Sequence, residues 1–384
     1  MKKQKLLFIY LRTGGGHLAP ASAVANYIGK YKSDIAETLL IDGFGKTKWI
    51  AKFIIEDGYR HLQSKAKWFY EFLYLTHKLK FISHISSFLV SINITKYMRE
   101  IIREYQPDKI VLFHFFLIKP VFATIKKLGY KIPVITVVTD PFTAHPLWFL
   151  KKDQNFIVFS EKLKNYCIKN GIEESRLNVF PFVLSEKFSV KPSLQMISSI
   201  KSQYNIENKN VLLILGGGDG IPKGKKILNS LYENRGDYSV IIVCGKNKRL
   251  FNQATNIKEK FGWNNLVVYG FVDFVYELIC ISDLIITKCG ASTFMEILLS
   301  GKIPIVNSYI WEQEKGNVDF IVKNKLGVYE KNVSKLPVIV NRLFSNSEIF
   351  NEYKNNIDLM KLENGTEKVS EFIIDFPQNT PTIE

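Results

Sequence analysis

Twice in this chain an apolar run breaks off into consecutive glycines, and that repeated device limits the fold more than any other feature. Lys5 to Leu11 (KLLFIYL) runs into Thr13-Gly14-Gly15-Gly16-His17, and Val211 to Leu215 (VLLIL) runs into Gly216-Gly217-Gly218-Asp219-Gly220. Short apolar runs bounded by turn residues predict strands buried on both faces, as in parallel sheets. After the first loop, residues 19–30 carry apolar positions near helical spacing. Further runs follow at Leu39–Ile41, Ile110–Phe116, Val134–Val138 and Phe156–Phe159, and in the second half at Val240–Val243, Val267–Phe271, Leu284–Ile286 and Pro304–Val306. Strands alternating with helices predict an α/β chain with two doubly wound parallel sheets. The first loop is not the GxGxxG dinucleotide fingerprint, because no glycine occupies its third position. Nor is it a Walker loop, since no Gly-Lys-Ser/Thr follows.

A length of 384 residues exceeds one ordinary core, so two domains are expected. Ser185 to Ser199 is polar, with Pro192 and two lysines, and reads as the linker. The expected division is therefore 1–185 and 186–384, the second domain keeping the terminal helices, the last over Glu363–Ile374. The net charge of +16 divides unevenly: residues 1–185 hold 28 Lys and Arg against 14 Asp and Glu, and the remainder 24 against 22. A positive field confined to one half points to an anionic partner, nucleic acid or an anionic membrane. Four scattered cysteines without metal-ligand spacing read as a reduced intracellular protein. No N-terminal signal is visible, and no stretch reaches the roughly 18 to 20 apolar residues of a spanning helix, so a soluble or peripheral protein is expected.

Residues 46–99 stand apart, with ten Lys and Arg, three acidic residues and eleven aromatics. Phe81, Ile85, Phe88, Leu89 and Ile92 form one helical stripe that suits packing on a core. Between Trp49 and Tyr74 the aromatics, Trp68 among them, outnumber what one buried face can hold. That basic, aromatic segment predicts contact with a membrane interface.

Two further stretches carry chemistry. Asp283 to Asn317 reads as strand, Cys289-Gly290-Ala291-Ser292-Thr293, helix over Phe294–Ser300, strand, then Trp311-Glu312-Gln313-Glu314-Lys315-Gly316-Asn317. Ser292 and Thr293 at a helix N-terminus suit a phosphate, and a carboxylate with two amides suits sugar hydroxyls. An ordinary capped βαβ unit would have the same pattern. Thr139-Asp140-Pro141-Phe142-Thr143-Ala144-His145-Pro146-Leu147-Trp148 follows a strand's carboxyl end, where open α/β sheets place sites. There Asp140 and His145 could form an orienting pair and Trp148 could flank a ligand; alternatively, Asp140 caps a turn and Trp148 is core.

Taken in order, Thr13–His17, Val138–Asp140 with His145-Pro146 and Trp148-Phe149, Gly216–Gly220 and Cys244-Gly245-Lys246-Asn247-Lys248 resemble the two-domain (GT-B) enzymes of glycosyltransferase family 28. So do Gly270-Phe271-Val272, Ile285–Lys288, and Gln313-Glu314 with Gly316-Asn317. The likeness is greatest to its galactolipid branch, the monogalactosyldiacylglycerol synthases, and runs from about residue 6 to about 330. The chain departs from that pattern at Cys289–Thr293, at Leu18-Ala19-Pro20 and at Trp311-Glu312.

The resemblance implies two Rossmann-like domains facing across a cleft, an acceptor- and membrane-facing one first and a UDP-sugar-binding one second. It implies inverting transfer of a hexose, galactose or glucose, from a UDP-sugar to diacylglycerol at the cytoplasmic face of the membrane, giving a β-glycoside. His17 is similar to the family's base, with Asp140 an alternative base or an orienting partner. Gly217, Gly218, Lys246, Phe271, Ser292, Thr293, Gln313, Glu314 and Asn317 are the implied donor contacts. Gly15, Gly16, His145, Trp148, Trp49 and Trp68 are assigned to acceptor or membrane. No Asp-x-Asp metal motif occurs, so no metal or other cofactor is expected and backbone N–H groups with positive charge would meet the leaving group. The expected partners are UDP-hexose, diacylglycerol and anionic lipids. A different lipid-linked or small-molecule acceptor is the alternative within the fold, and a basic nucleic-acid binder is a remote one.

Overall fold

The computed structural model describes residues 2–12, 15–45, 94–207 and 209–377. Trp49, Trp68 and the Phe81–Ile92 stripe lie outside them. Two compact units emerge, Met1–Glu186 with Asn364–Glu384, and Lys187–Glu363. The first boundary falls one residue from the expected division. The last helix differs, because it packs on the first unit and not the second.

The first unit is built on a six-stranded sheet in the order β2-β1-β3-β4-β5-β6. Its strands are β1 (Gln4–Tyr10), β2 (Ala36–Asp42), β3 (Lys109–Leu112), β4 (Val134–Val137), β5 (Asn155–Val158) and β6 (Leu177–Val179), all paired parallel. Leu6 to Leu11 are buried without interruption, which is why β1 reads as a continuous apolar run: helices cover both of its faces. The expected strand Ile110–Phe116 is shorter. It ends at Leu112, and His114 accepts the Phe116 N–H at 3.2 Å to start a single 3-10 turn, Phe115–Leu117. The helix Gly15–Tyr31 joins β1 to β2 on one side, and the chain then returns to lay β3 on the other side of β1. The strand order therefore reverses between β1 and β3, so their carboxyl ends leave a crevice.

Side chains explain why the last helix, Thr366–Asp375, belongs here. Asn364 Oδ1 accepts the Leu184 N–H at 3.1 Å, and Thr366 Oγ1 donates to the Leu184 carbonyl at 2.6 Å. Lys109, fully buried at the start of β3, donates to the carbonyls of Ile373 and Ile374 at the helix C-terminus. Those carbonyls have no partner within the helix, and a cation is favoured at that end of the dipole.

In the second unit the order is β12-β11-β10-β7-β8-β9, again parallel throughout. The strands are β7 (Val211–Leu215), β8 (Ser239–Val243), β9 (Leu266–Tyr269), β10 (Leu284–Lys288), β11 (Ile303–Ser308) and β12 (Val328–Tyr329). Here the order reverses between β7 and β10, the strands that end in the Gly216 loop and the Cys289 loop. The expected linker, Ser185–Ser199, is not extended. Ser193 accepts the Met196 N–H at 3.2 Å and caps a helix, Leu194–Gln203. Among the described residues no helix is long and apolar enough to cross a membrane.

Candidate active site

In the first unit, three loops meet at the carboxyl ends of β1, β3 and β4. His17 is the third residue of the helix Gly15–Tyr31, so it sits at the mouth of the first glycine loop. A Cβ on Gly15 or Gly16 would meet nothing within 4 Å among the described residues, which leaves space beside it there. His17 Nδ1 lies 2.9 Å from Thr139 Oγ1, and its ring centroid is 4.4 Å from that of His114 and 6.1 Å from that of Trp148. Desolvation lowers the His17 pKa from 6.5 to about 4, and the Phe113 backbone, which hydrogen-bonds the ring, only partly offsets this. His114 is buried and likewise pushed well below 6.5, by burial first and by its proximity to His17 second. Near neutral pH this is a pair of uncharged imidazoles, and an uncharged imidazole can take a proton.

The other first-unit candidates are placed differently. Asp140 is not the orienting partner of His17; its Oδ2 accepts the Trp148 Nε1–H at 2.9 Å. Trp148 is completely buried, so its reading as core is the correct one, and it forms a wall behind His17 instead of flanking a ligand. His145 is also buried, and its Nδ1 accepts the Leu147 N–H at 3.1 Å to cap the 3-10 turn Pro146–Phe149. These residues hold the shape of the β4 loop. The residue that reaches His17 is Thr139, which the sequence reading quoted within a motif and gave no role.

In the second unit, two glycine-bearing loops are packed backbone to backbone. Lys246 N–H donates to the Gly218 carbonyl at 2.8 Å, and Gly220 N–H to that of Gly217 at 3.0 Å. Gly245 has φ +58°, and a Cβ there would lie 2.3 Å from the Gly218 oxygen, so no side chain fits. Gly217 and Gly218 have open space where a Cβ would be, which suits an approaching diphosphate. Lys246 Nζ lies 5.4 Å from the centroid of the Phe271 ring, and Phe271 is 65% exposed, an unusual setting for so large an apolar side chain.

The helix Ala291–Leu299 begins after Gly290, which has no side chain to cap it, so Ser292 and Thr293 lie in its first turn as expected. Ser292 Oγ, Ser308 Oγ and Asn317 Oδ1 are buried without a hydrogen-bond partner, while Asn317 Nδ2 donates to the Cys289 carbonyl at 3.0 Å. Buried orphans of this kind are costly, and a ligand would satisfy them. Trp311–Lys323 is a helix, with Gln313 and Asn317 one turn apart on it. Glu314 is partly committed already. One carboxylate oxygen accepts the Ile310 N–H, and the other lies 3.6 Å from Lys288 Nζ.

Two residues of this unit carried no role in the sequence reading, Lys288 being quoted only within the Ile285–Lys288 motif. Lys288 ends β10 at a register shift, where it pairs with Ser308 while Thr287 pairs with Val306. Such bulges re-aim side chains at strand ends. Glu296 lies one turn beyond Ser292, and burial raises its pKa to about 7. The helical spacing from Ser292 would have pointed to it.

Residues 17–183 match the family model for monogalactosyldiacylglycerol (MGDG) synthase, and residues 211–368 that for the glycosyltransferase family 28 C-terminal domain. Monogalactosyldiacylglycerol synthase 1 of Arabidopsis thaliana is 29% identical over 350 residues, covering 88% of this chain and 64% of its own length. The chain thus spans somewhat less than two thirds of the plant enzymes it matches first. The processive diacylglycerol beta-glucosyltransferase of Bacillus subtilis is 27% identical over 280 residues, 73% of this chain and 72% of its own. Among solved structures, Anabaena HepE in complex with UDP and glucose aligns with a TM-score of 0.60 at 14% identity, over 97% of this chain and 100% of that one. With both halves matched in order, and two parallel sheets that reverse beside their glycine loops, the chain belongs to glycosyltransferase family 28 and has the GT-B fold.

Proposed function

We propose that this protein is an inverting glycosyltransferase that moves a hexose from a UDP-sugar to diacylglycerol, giving a β-glycosyldiacylglycerol. The observation that carries the reading is His17: a desolvated, neutral imidazole with open space beside it, at the end of the first glycine loop. The acceptor hydroxyl must lose its proton as its oxygen attacks the anomeric carbon, and His17 takes that proton. The bond from that carbon to the UDP oxygen breaks with its electron pair, inverting the configuration. UDP then carries the charge, which the N–H groups around Gly217 and Gly218, the helix start at Ser292 and Thr293, and the Lys246 and Lys288 ammoniums meet. Phe271 offers its exposed face to the base, and Gln313, Glu314 and Asn317 the sugar contacts. Glu296 is a further hydrogen-bond acceptor for sugar hydroxyls.

Galactose is the favoured sugar, on the names of the plant relatives; glucose is supported by the Bacillus subtilis relative, matched over a larger share of its length. The excess of basic residues in 1–185 supports peripheral attachment to anionic lipid at the cytoplasmic face. The test is incubation of the protein with radiolabelled UDP-galactose or UDP-glucose and diacylglycerol in anionic vesicles. A β-linked glycolipid with one of the two donors is expected, abolished by His17→Ala. No lipid product with either donor would refute the reading.

A further inference from the structure

Taking His17 as the base, we infer that Thr139 is a positioning residue that fixes its ring as the Nε2–H tautomer, so that Nδ1 receives the acceptor's proton. The contact is short, 2.9 Å between Thr139 Oγ1 and His17 Nδ1, and Thr139 is only 2% exposed. A hydroxyl brings one donor and two lone pairs. Were Nδ1 protonated, the hydroxyl would have to accept from it, leaving the Thr139 O–H buried with no acceptor among the described residues. With Nδ1 bare, the O–H donates to it and only lone pairs go unused, which costs far less. The Phe113 backbone also hydrogen-bonds the ring and raises its proton affinity.

The neighbouring rings fix the plane but not the tautomer. His114 has its own Nδ1 occupied by the Phe116 N–H, so it too is the Nε2–H form, and it stands 4.4 Å from His17 centre to centre. Trp148, tied to Asp140, closes the other approach. Among the described residues, Thr139 alone makes a side-chain hydrogen bond to the His17 ring. In the reaction the acceptor hydroxyl takes the place of the Thr139 hydroxyl on Nδ1, and the Thr139 O–H turns to donate to the acceptor's oxygen. Its O–H bond breaks, the proton goes to Nδ1, and the oxygen's electron pair forms the new bond to the anomeric carbon. The imidazolium then carries a proton on each nitrogen.

The experiment is nitrogen NMR of the full chain labelled at its six histidines, with His17→Gln assigning the resonance, alongside steady-state kinetics. Wild type should show an unprotonated Nδ1 and a protonated Nε2 at His17. Thr139→Val, which keeps the shape, should give mixed tautomers and a kcat lower by about tenfold, with the KM for UDP-sugar unchanged. Thr139→Ser should restore both. Thr139→Ala is the second variant should the valine not fold, UDP binding reporting an intact second unit. A proton on Nδ1 in wild type, or a single tautomer and full kcat in both hydroxyl-less variants, overturns the assignment. Wild-type kcat in His17→Gln would instead remove His17 as the base, while the tautomer measurement still decides what Thr139 does.

Discussion

Lowering the pH of the transfer reaction should leave the base working far below the range in which an exposed histidine would fail. His17 has its pKa lowered from 6.5 to about 4 by desolvation. At pH 5.5 an ordinary imidazole would be neutral in only about 9% of molecules, whereas a group at about 4 is neutral in about 97%. The groups facing it do not reverse this: His114 is itself neutral, Thr139 and Trp148 are uncharged there, and Asp140 is turned to the Trp148 N–H. Glu296 in the second unit also titrates in the window, with a pKa near 7. The assay is therefore kcat/KM for the acceptor at saturating UDP-sugar, from pH 3.5 to 8, in uncharged detergent micelles, for wild type and Glu296→Gln. An acid limb near 4 in both is expected. A limb between 6 and 7 that survives in Glu296→Gln would show the base to be solvated, and the reasoning would fail. Stability follows the same sign. Between pH 6.5 and 4 the unfolded chain binds a proton at this position and the folded chain does not. The first unit should therefore be at full stability above 6.5 and lose it progressively as the pH falls towards 4.

Two other substitutions test the scaffold. Gly245→Ala places a Cβ 2.3 Å from the Gly218 oxygen at φ +58°, so it should cost about 1–3 kcal/mol and disorder the loop pair. Calorimetry should then show at least tenfold weaker UDP binding, and unchanged affinity would mean those loops do not hold the nucleotide. Lys109→Met strips the carbonyls of Ile373 and Ile374 of their buried donor, a loss of about 1–3 kcal/mol. Hydrogen exchange over 366–375 should quicken, and identical protection would show that the lysine does not hold the helix.

How far the sequence spoke depended on how local each signal was. The second glycine loop sat at the end of its strand, because an apolar run and the turn residues that stop it are adjacent and need no partner to be read; of the first, Gly15 and Gly16 already belong to the helix that follows. The partner of His17 was another matter. Asp140 looked the better candidate by chemistry, and it lies next to Thr139, but the chain leaves β4 at Val137 and no strand alternation tells which of the two residues turns towards β1. The linker was misjudged on composition: Ser193 after Pro192 is a helix cap, and a polar amphipathic helix has the same overall polarity as a loop. Lys109 marks where local reading ends. A lysine opening an apolar strand is visible as an anomaly, since burying an ammonium without acceptors is prohibitive. The acceptors it requires are the carbonyls of a helix 264 and 265 residues further on, and only the folded chain brings them together. That cation helps to tie the end of the chain to the first unit, and it does so by a contact that no window along the sequence contains.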